Sequence, residues 1–170
     1  MKKLIQLVLL MFVALSLNAQ DKIAREDLKL GSQMPAFTLE SSVYGNVTPA
    51  DLKGKVVLVN LFATWCPPCQ KELAEVKDIL WPKYKDNKNF KMLVIGREHT
   101  DVDLTKYNEK KGFTFPLYPD PKREVFSLFA DQTIPRSYLY DKNGKLIWSA
   151  IGYTPEEFKV MMEAIEKALK

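Results

Sequence analysis

Val56-Val57-Leu58-Val59-Asn60-Leu61-Phe62-Ala63-Thr64-Trp65-Cys66-Pro67-Pro68-Cys69 is the stretch on which the rest of the chain turns. Its first seven residues are apolar except Asn60. A short run of this kind predicts a strand covered on both faces of a sheet. Beyond it, Leu73, Val76, Ile79 and Leu80 recur at helical spacing, with Lys and Glu between them. That spacing predicts an amphipathic helix from about residue 67 to 81, stopped near Pro82. A strand therefore hands the chain to a helix, and both cysteines fall at the junction.

Cys66 and Cys69 are the only 2 cysteines in 170 residues. That excludes a disulfide-stapled scaffold and a zinc site of four cysteines. Two residues between cysteines at a helix start bring the sulfurs within bonding reach. Cys66 at the first turn meets free backbone N–H groups and the positive end of the helix dipole, which stabilise a thiolate. Cys69 lies one turn further in and deeper. Pro67 and Pro68 stiffen the turn where the helix needs no donors. The chemistry expected is exchange, in which Cys66 forms a mixed disulfide with a partner and Cys69 resolves it. Three plainer readings compete. A structural disulfide closing so short a loop constrains the unfolded chain little. A metal site would have only His99 as a further soft ligand. Two unrelated buried thiols do not suit so organised a context. Exchange is the preferred reading, and it calls for no cofactor and no metal.

Working outward, residues 37–39 read as a short strand, with a turn at Gly45-Asn46 and a hairpin partner at Val47-Thr48. A second turn covers residues 52–55. Strands are predicted at 90–95, 116–118, 137–140 and 145–149, the last two joined by a turn at 141–144. Helices are predicted at 103–111, ended by Gly112, and at 122–130. A closing helix starts at Thr154-Pro155-Glu156-Glu157, with Thr154 as cap and Glu157 three residues later. It runs to about Leu169, with Phe158, Met161, Met162, Ile165 and Leu169 on its apolar side. The alternation of strands and helices predicts an α/β domain, a central sheet flanked by helices.

Hydrophobic residues make up 46% and charged residues 27%, as in an ordinary globular chain, and net charge is +4. Lys2 and Lys3 open an otherwise uncharged stretch, residues 4–20, ending near Leu17-Asn18-Ala19. A basic start, a short apolar run and a small-residue end predict a signal peptide over residues 1–19. Its rival is an uncleaved membrane anchor, for which the run is short. Residues 20–30 read as a variable segment with weak helical spacing. Loss of the signal would remove two of the positive charges, and what remains gives no charge argument for nucleic acid. The expected compartment is extracytoplasmic, the periplasm, where disulfides persist.

Residues 59–69 resemble the active-site signature of thioredoxin-like proteins. They are most similar to the extracytoplasmic TlpA/ResA-like branch, with Leu61-Phe62 where that branch often has Phe-Trp. The resemblance extends over residues 31–170. It implies a thioredoxin-like fold, a central mixed sheet flanked by helices, with an N-terminal hairpin and a central insertion. It also implies a cis proline at Pro135, with Ile134 backbone groups pairing to an extended substrate. Trp65, Pro67 and Pro68 would line the partner surface. Arg136 stands where the family often has Thr, which suggests an acidic partner. Asn60 occupies the place of a buried aspartate in ordinary thioredoxins and cannot titrate. Glu98 is then the nearest match to a family glutamate after the next strand, expected to serve as base for Cys69. His99 titrates in a useful range, but a lone loop histidine carries no role in this reading.

The function implied is a thiol–disulfide oxidoreductase outside the cytoplasm. It would reduce specific protein disulfides, for example in cytochrome c maturation, with electrons from a membrane thiol carrier. A related thiol peroxidase is the first rival. Such enzymes typically carry Thr-x-x-Cys, whereas Ala63 stands three residues before Cys66 and Thr64 is one place too close. A binding domain without exchange is the second rival, and the intact cysteine pair counts against it.

Overall fold

The central strand of the sheet is the one that the apolar run predicts. Strand β1, Val56–Phe62, is buried along its whole length. A computed structural model describes residues 28–170. The expectations for residues 1–27, the signal peptide and most of the weakly helical segment, lie outside the described residues.

Side chains alternate across a strand, so β1 serves two cores. Val56, Leu58 and Phe62 join Leu73, Val76, Leu80, Phe158, Met161 and Ile165 on one face. Val57, Val59 and Leu61 meet Phe37, Leu39, Val47, Phe126 and Phe129 on the other. Both cysteines belong to the first core. Asn60 shares its parity and so faces the helix that carries them.

Helix α1, Pro67–Glu75, follows β1. It does not stop at Pro82. A wide π turn, Val76–Leu80, continues it into α2, Trp81–Tyr84. The Trp81 N–H reaches back to the Val76 carbonyl, so the ladder is already offset where Pro82 has no N–H to give. Strand β2, Phe90–Arg97, pairs parallel to β1. Helix α3, Asp101–Lys111, begins two residues earlier than expected, because Thr100 and Asp103 cap each other across its first turn. Gly112 ends it in the left-handed conformation, with φ 62°.

Strand β3, Leu117–Asp120, adds parallel to β2 at one edge. The helix expected over 122–130 shrinks to α4, Phe126–Phe129. The Asp120 carboxylate accepts from the Val125 and Phe126 N–H groups, and Arg123 takes a positive φ, so helical backbone starts late. Strands β4, Arg136–Tyr140, and β5, Leu146–Ile151, form the predicted hairpin. Helix α5, Pro155–Leu169, closes the chain with Thr154 accepting from the Glu157 N–H.

The sheet order is β3-β2-β1-β4-β5, with β4 antiparallel to β1. This is the mixed sheet and thioredoxin-like layering that the resemblance implies. The N-terminal hairpin is reduced to a single bridge, in which Leu39 and Val47 exchange two 2.9 Å bonds. Among the described residues no helix is long and apolar enough to cross a membrane.

Ile165 of α5 is fully buried and Val160 of the same helix is 47% exposed. Ile165→Ala should cost about 2–5 kcal/mol of unfolding free energy and Val160→Ala within about 0.5 kcal/mol of zero, by urea denaturation of the oxidised protein. Equal losses would contradict this placement of the core.

Candidate active site

The end of β1 delivers Cys66 to the N-cap of α1. Cys66 Sγ accepts from the Cys69 N–H at 3.3 Å, as a sulfur at a helix start can. The two sulfurs are bonded to each other, S–S 2.12 Å. Both residues are buried, Cys69 completely. Pro67 and Pro68 are exposed beside them, and Trp65 is 57% exposed. The Arg97 guanidinium lies 5.4 Å from the Trp65 ring centre and 5.0 Å from that of Phe126. This stack holds the indole upright at the surface rather than in the core.

The second wall comes from the loop before β4. The Ile134–Pro135 peptide bond is cis. The Ile134 carbonyl oxygen lies 3.8 Å from Cys66 Sγ. Ile134 is half-buried, and the Gly152 N–H bonds the Pro135 carbonyl at 2.8 Å, tying this loop to the end of β5. Ile134 thus meets buried Cys66 beside the exposed Trp65, Pro67 and Pro68, with Pro135 buried behind it. A hollow of about 830 Å³ elsewhere, lined by Ser42, Asp101, Pro121 and Leu128 among others, includes neither cysteine.

Two expected residues are used differently. Arg136 is buried, because it shares the parity of Tyr138 on the face away from α1. Its Nε donates to the Gln132 and Thr133 carbonyls at 3.1 and 3.2 Å. It braces the cis-proline loop from within and is buried rather than displayed at the surface. Glu98 sits at φ 62°, with its carboxylate 3.4 Å from Arg97 Nε and 3.9 Å from Arg123 Nη1. Among the described residues it makes no hydrogen bond to either cysteine.

The buried acid is Glu72, three residues beyond Cys69 on α1. Its Oε2 accepts from Asn60 Nδ2 and its Oε1 from Ser137 Oγ, both at 2.9 Å. Asn60 and Ser137 are paired across β1 and β4, and Asn60 also donates to Ser137 Oγ. Burial pushes the carboxyl up to about 7, against the two hydrogen bonds, and nearby Glu75 adds to the rise. Among the described residues Asn60 Oδ1 has no hydrogen-bond partner. A half-turn of that amide would present an acceptor to a protonated Glu72. Sequence reasoning missed this residue although a signal existed. Cys69, Glu72, Leu73, Val76 and Leu80 fall on one helical stripe, and Glu72 is the acid within it.

A family model described as the AhpC/TSA family matches residues 30–149. The chain belongs to that family. It is 30% identical over 145 residues to the thiol-disulfide oxidoreductase ResA of Bacillus thuringiensis (strain Al Hakam), covering 85% of this chain and 81% of the relative. A solution structure from Bacteroides thetaiotaomicron, described as a candidate protein disulfide isomerase, superposes with TM-score 0.79 at 32% identity. The match covers 84% of this chain and 91% of that one. A crystal structure of a candidate thiol:disulfide interchange protein DsbE from Chlorobium tepidum gives TM-score 0.75 at 28% identity, over 85% and 100%. This AhpC/TSA chain is a thioredoxin-fold thiol–disulfide oxidoreductase of the ResA-like kind, and it carries the Cys66–Cys69 pair in CxxC spacing.

Glu72 carries a pH signature. Its folded value of about 7 lies above the ordinary 4.5, so the unfolded chain gives up this proton first. Stability is fully present below 4.5 and declines as pH rises towards 7. Glu72→Gln removes that decline. Urea unfolding of the oxidised proteins between pH 4 and 8 should show the variant gaining on wild type with pH, on the order of 3 kcal/mol in all. A constant difference across the range would contradict a carboxyl buried in this way.

Proposed function

We propose that the protein reduces disulfides of exported polypeptides. The observation that carries this reading is the Cys66–Cys69 pair at the start of α1, with the Ile134 carbonyl oxygen 3.8 Å from the Cys66 sulfur. An extended chain can lie along Ile134 and Trp65 and bring its disulfide to Cys66. The surroundings are an open surface, which suits a polypeptide better than a small molecule.

The reduced Cys66 thiolate attacks one substrate sulfur and the substrate S–S bond breaks. The other substrate sulfur leaves as a thiolate and takes a proton. Cys69, deprotonated, attacks Cys66 Sγ and displaces the substrate sulfur bonded to it, which leaves as a thiolate and takes a proton. Two electrons pass to the substrate, and the Cys66–Cys69 disulfide is left. Glu72, one turn along α1 with a value near 7, is the acid–base group for Cys69. Glu98 is not needed in that role.

The resemblance to ResA-like proteins supports a reductase with selected substrates, apocytochromes c among them. A membrane thiol carrier would restore the dithiol. The basic, then apolar, first twenty residues support export to the periplasm or its equivalent. The peroxidase reading is disfavoured by Ala63, which is fully buried and offers no hydroxyl three residues before Cys66.

Cys69→Ser should accumulate a mixed disulfide between Cys66 and its substrate, separable on non-reducing gels and identifiable by mass spectrometry. Cys66→Ser should trap nothing and lose exchange activity. Rapid oxidation of Cys66 by hydrogen peroxide, with no disulfide-bonded protein captured, would favour the peroxidase instead.

A further inference from the structure

The chain has 1 histidine, His99, and it is buried at 8% exposure in the loop between β2 and α3. Its Nε2 accepts a 2.9 Å hydrogen bond from the backbone N–H of Thr64, two residues before Cys66. The Thr64 carbonyl accepts from Gln70 Nε2 of α1, also at 2.9 Å. Gln70 Oε1 in turn accepts from Lys111 Nζ. The Thr64 residue is therefore held from both ends, by a ring from one loop and an amide from the redox helix. The Cys66 N–H closes the same turn on the Ala63 carbonyl at 3.2 Å.

The ring has little freedom to swing. It lies against Phe62, with 6.5 Å between ring centres. Behind it stands Gly96, where an added Cβ would come within 3.3 Å of the His99 ring and 2.7 Å of Leu104. A side chain at position 96 would thus push on the residue that holds the approach to Cys66.

We propose that His99 is a positioning residue for the redox cysteine: as neutral imidazole it fixes the Thr64–Cys66 approach through Thr64, and on protonation it releases it. The inference rests on the Cys66–Cys69 exchange reading. An acceptor nitrogen must be unprotonated, so in this bond the ring proton sits on Nδ1. Protonated Nε2 would set one donor against another, and the bond would be lost. The charged groups facing the ring are Asp103 of α3 and Glu98 of its own loop, and both favour the imidazolium. From β1 and the turn after it come Phe62 and Thr64, and from β2 and α3 come Gly96 and Leu104, none of them charged. Arg97 is turned towards Trp65 and Phe126. Burial outweighs the two acids and holds His99 below the ordinary histidine range. The bond is thus intact at neutral pH and opens on acidification.

The test compares the reduced full-length protein with His99→Leu and His99→Gln. In wild type, the Thr64 amide resonance in a nitrogen–proton correlation spectrum should shift with pH in step with the His99 ring protons. That signal reads the bond without any exchange chemistry, so its failure is distinct from failure of the redox reading. Alkylation of Cys66 by iodoacetamide at pH 7.5 should slow about fivefold in His99→Leu, as loss of one hydrogen bond implies. Gln presents an acceptor without titrating, so His99→Gln should recover the rate to within about twofold and lose the extra acid-side fall of wild type. A Thr64 amide that ignores the histidine titration would overturn the proposal. So would a His99→Gln variant no faster than His99→Leu.

Discussion

A single buried carboxyl ties the helix that carries both cysteines to the central sheet. Glu72 lies on the helix that carries both cysteines, and its two oxygens accept from Asn60 of β1 and Ser137 of β4. Those strands are the two that deliver the walls of the site, the sulfur turn and the cis-proline loop. An uncompensated charge at this depth would cost several kcal/mol, so the group must be protonated, hydrogen-bonded or both. The pair of donors keeps it near the boundary between its two states. The group that locks the helix to the sheet is therefore also one that can exchange a proton near neutral pH.

Around this anchor, the site is assembled at a seam. One side is β1, the Ala63–Cys66 turn and the first turn of α1. The other is the loop from Gln132 to Pro135, braced internally by Arg136 and fastened to β5 through Gly152. Backbone carbonyls and N–H groups do most of this fastening. Exposed at the rim are Trp65, Pro67 and Pro68, side chains with apolar surface and little charge. Under the proposed function, selectivity for a partner would come from shape and backbone pairing near Ile134, since the Arg136 side chain is buried.

Much of the fold was legible because local signals agreed with the tertiary outcome. The apolar run 56–62 is a strand buried on both faces, Thr154 and Gly112 mark helix ends, and the CxxC spacing marks the redox turn. The failures share a physical cause, which is that tertiary contacts overrode local rules. Pro82 reads as a stop, yet a π turn carries the helix past it. A helix pattern over 122–130 is cut short when Asp120 captures the first N–H groups. A charged residue on an amphipathic helix reads as solvated, so Glu72 is passed over even though it lies on the apolar stripe. Glu98 was the nearer match by position, but two arginines occupy its carboxylate. His99 reads as an idle loop residue because its partner, the Thr64 N–H, is 35 residues away in sequence.

The proposed function makes Cys66 and Cys69 a centre poised to give electrons to protein disulfides. Its most direct test is the reduction potential of the pair at pH 7, by equilibration in dithiol redox buffers and quantitation of the two thiols. A reductase requires about −250 mV or lower, in the range of reducing thioredoxin-like centres, whereas about −120 mV, the range of a strong oxidant, would rule that function out.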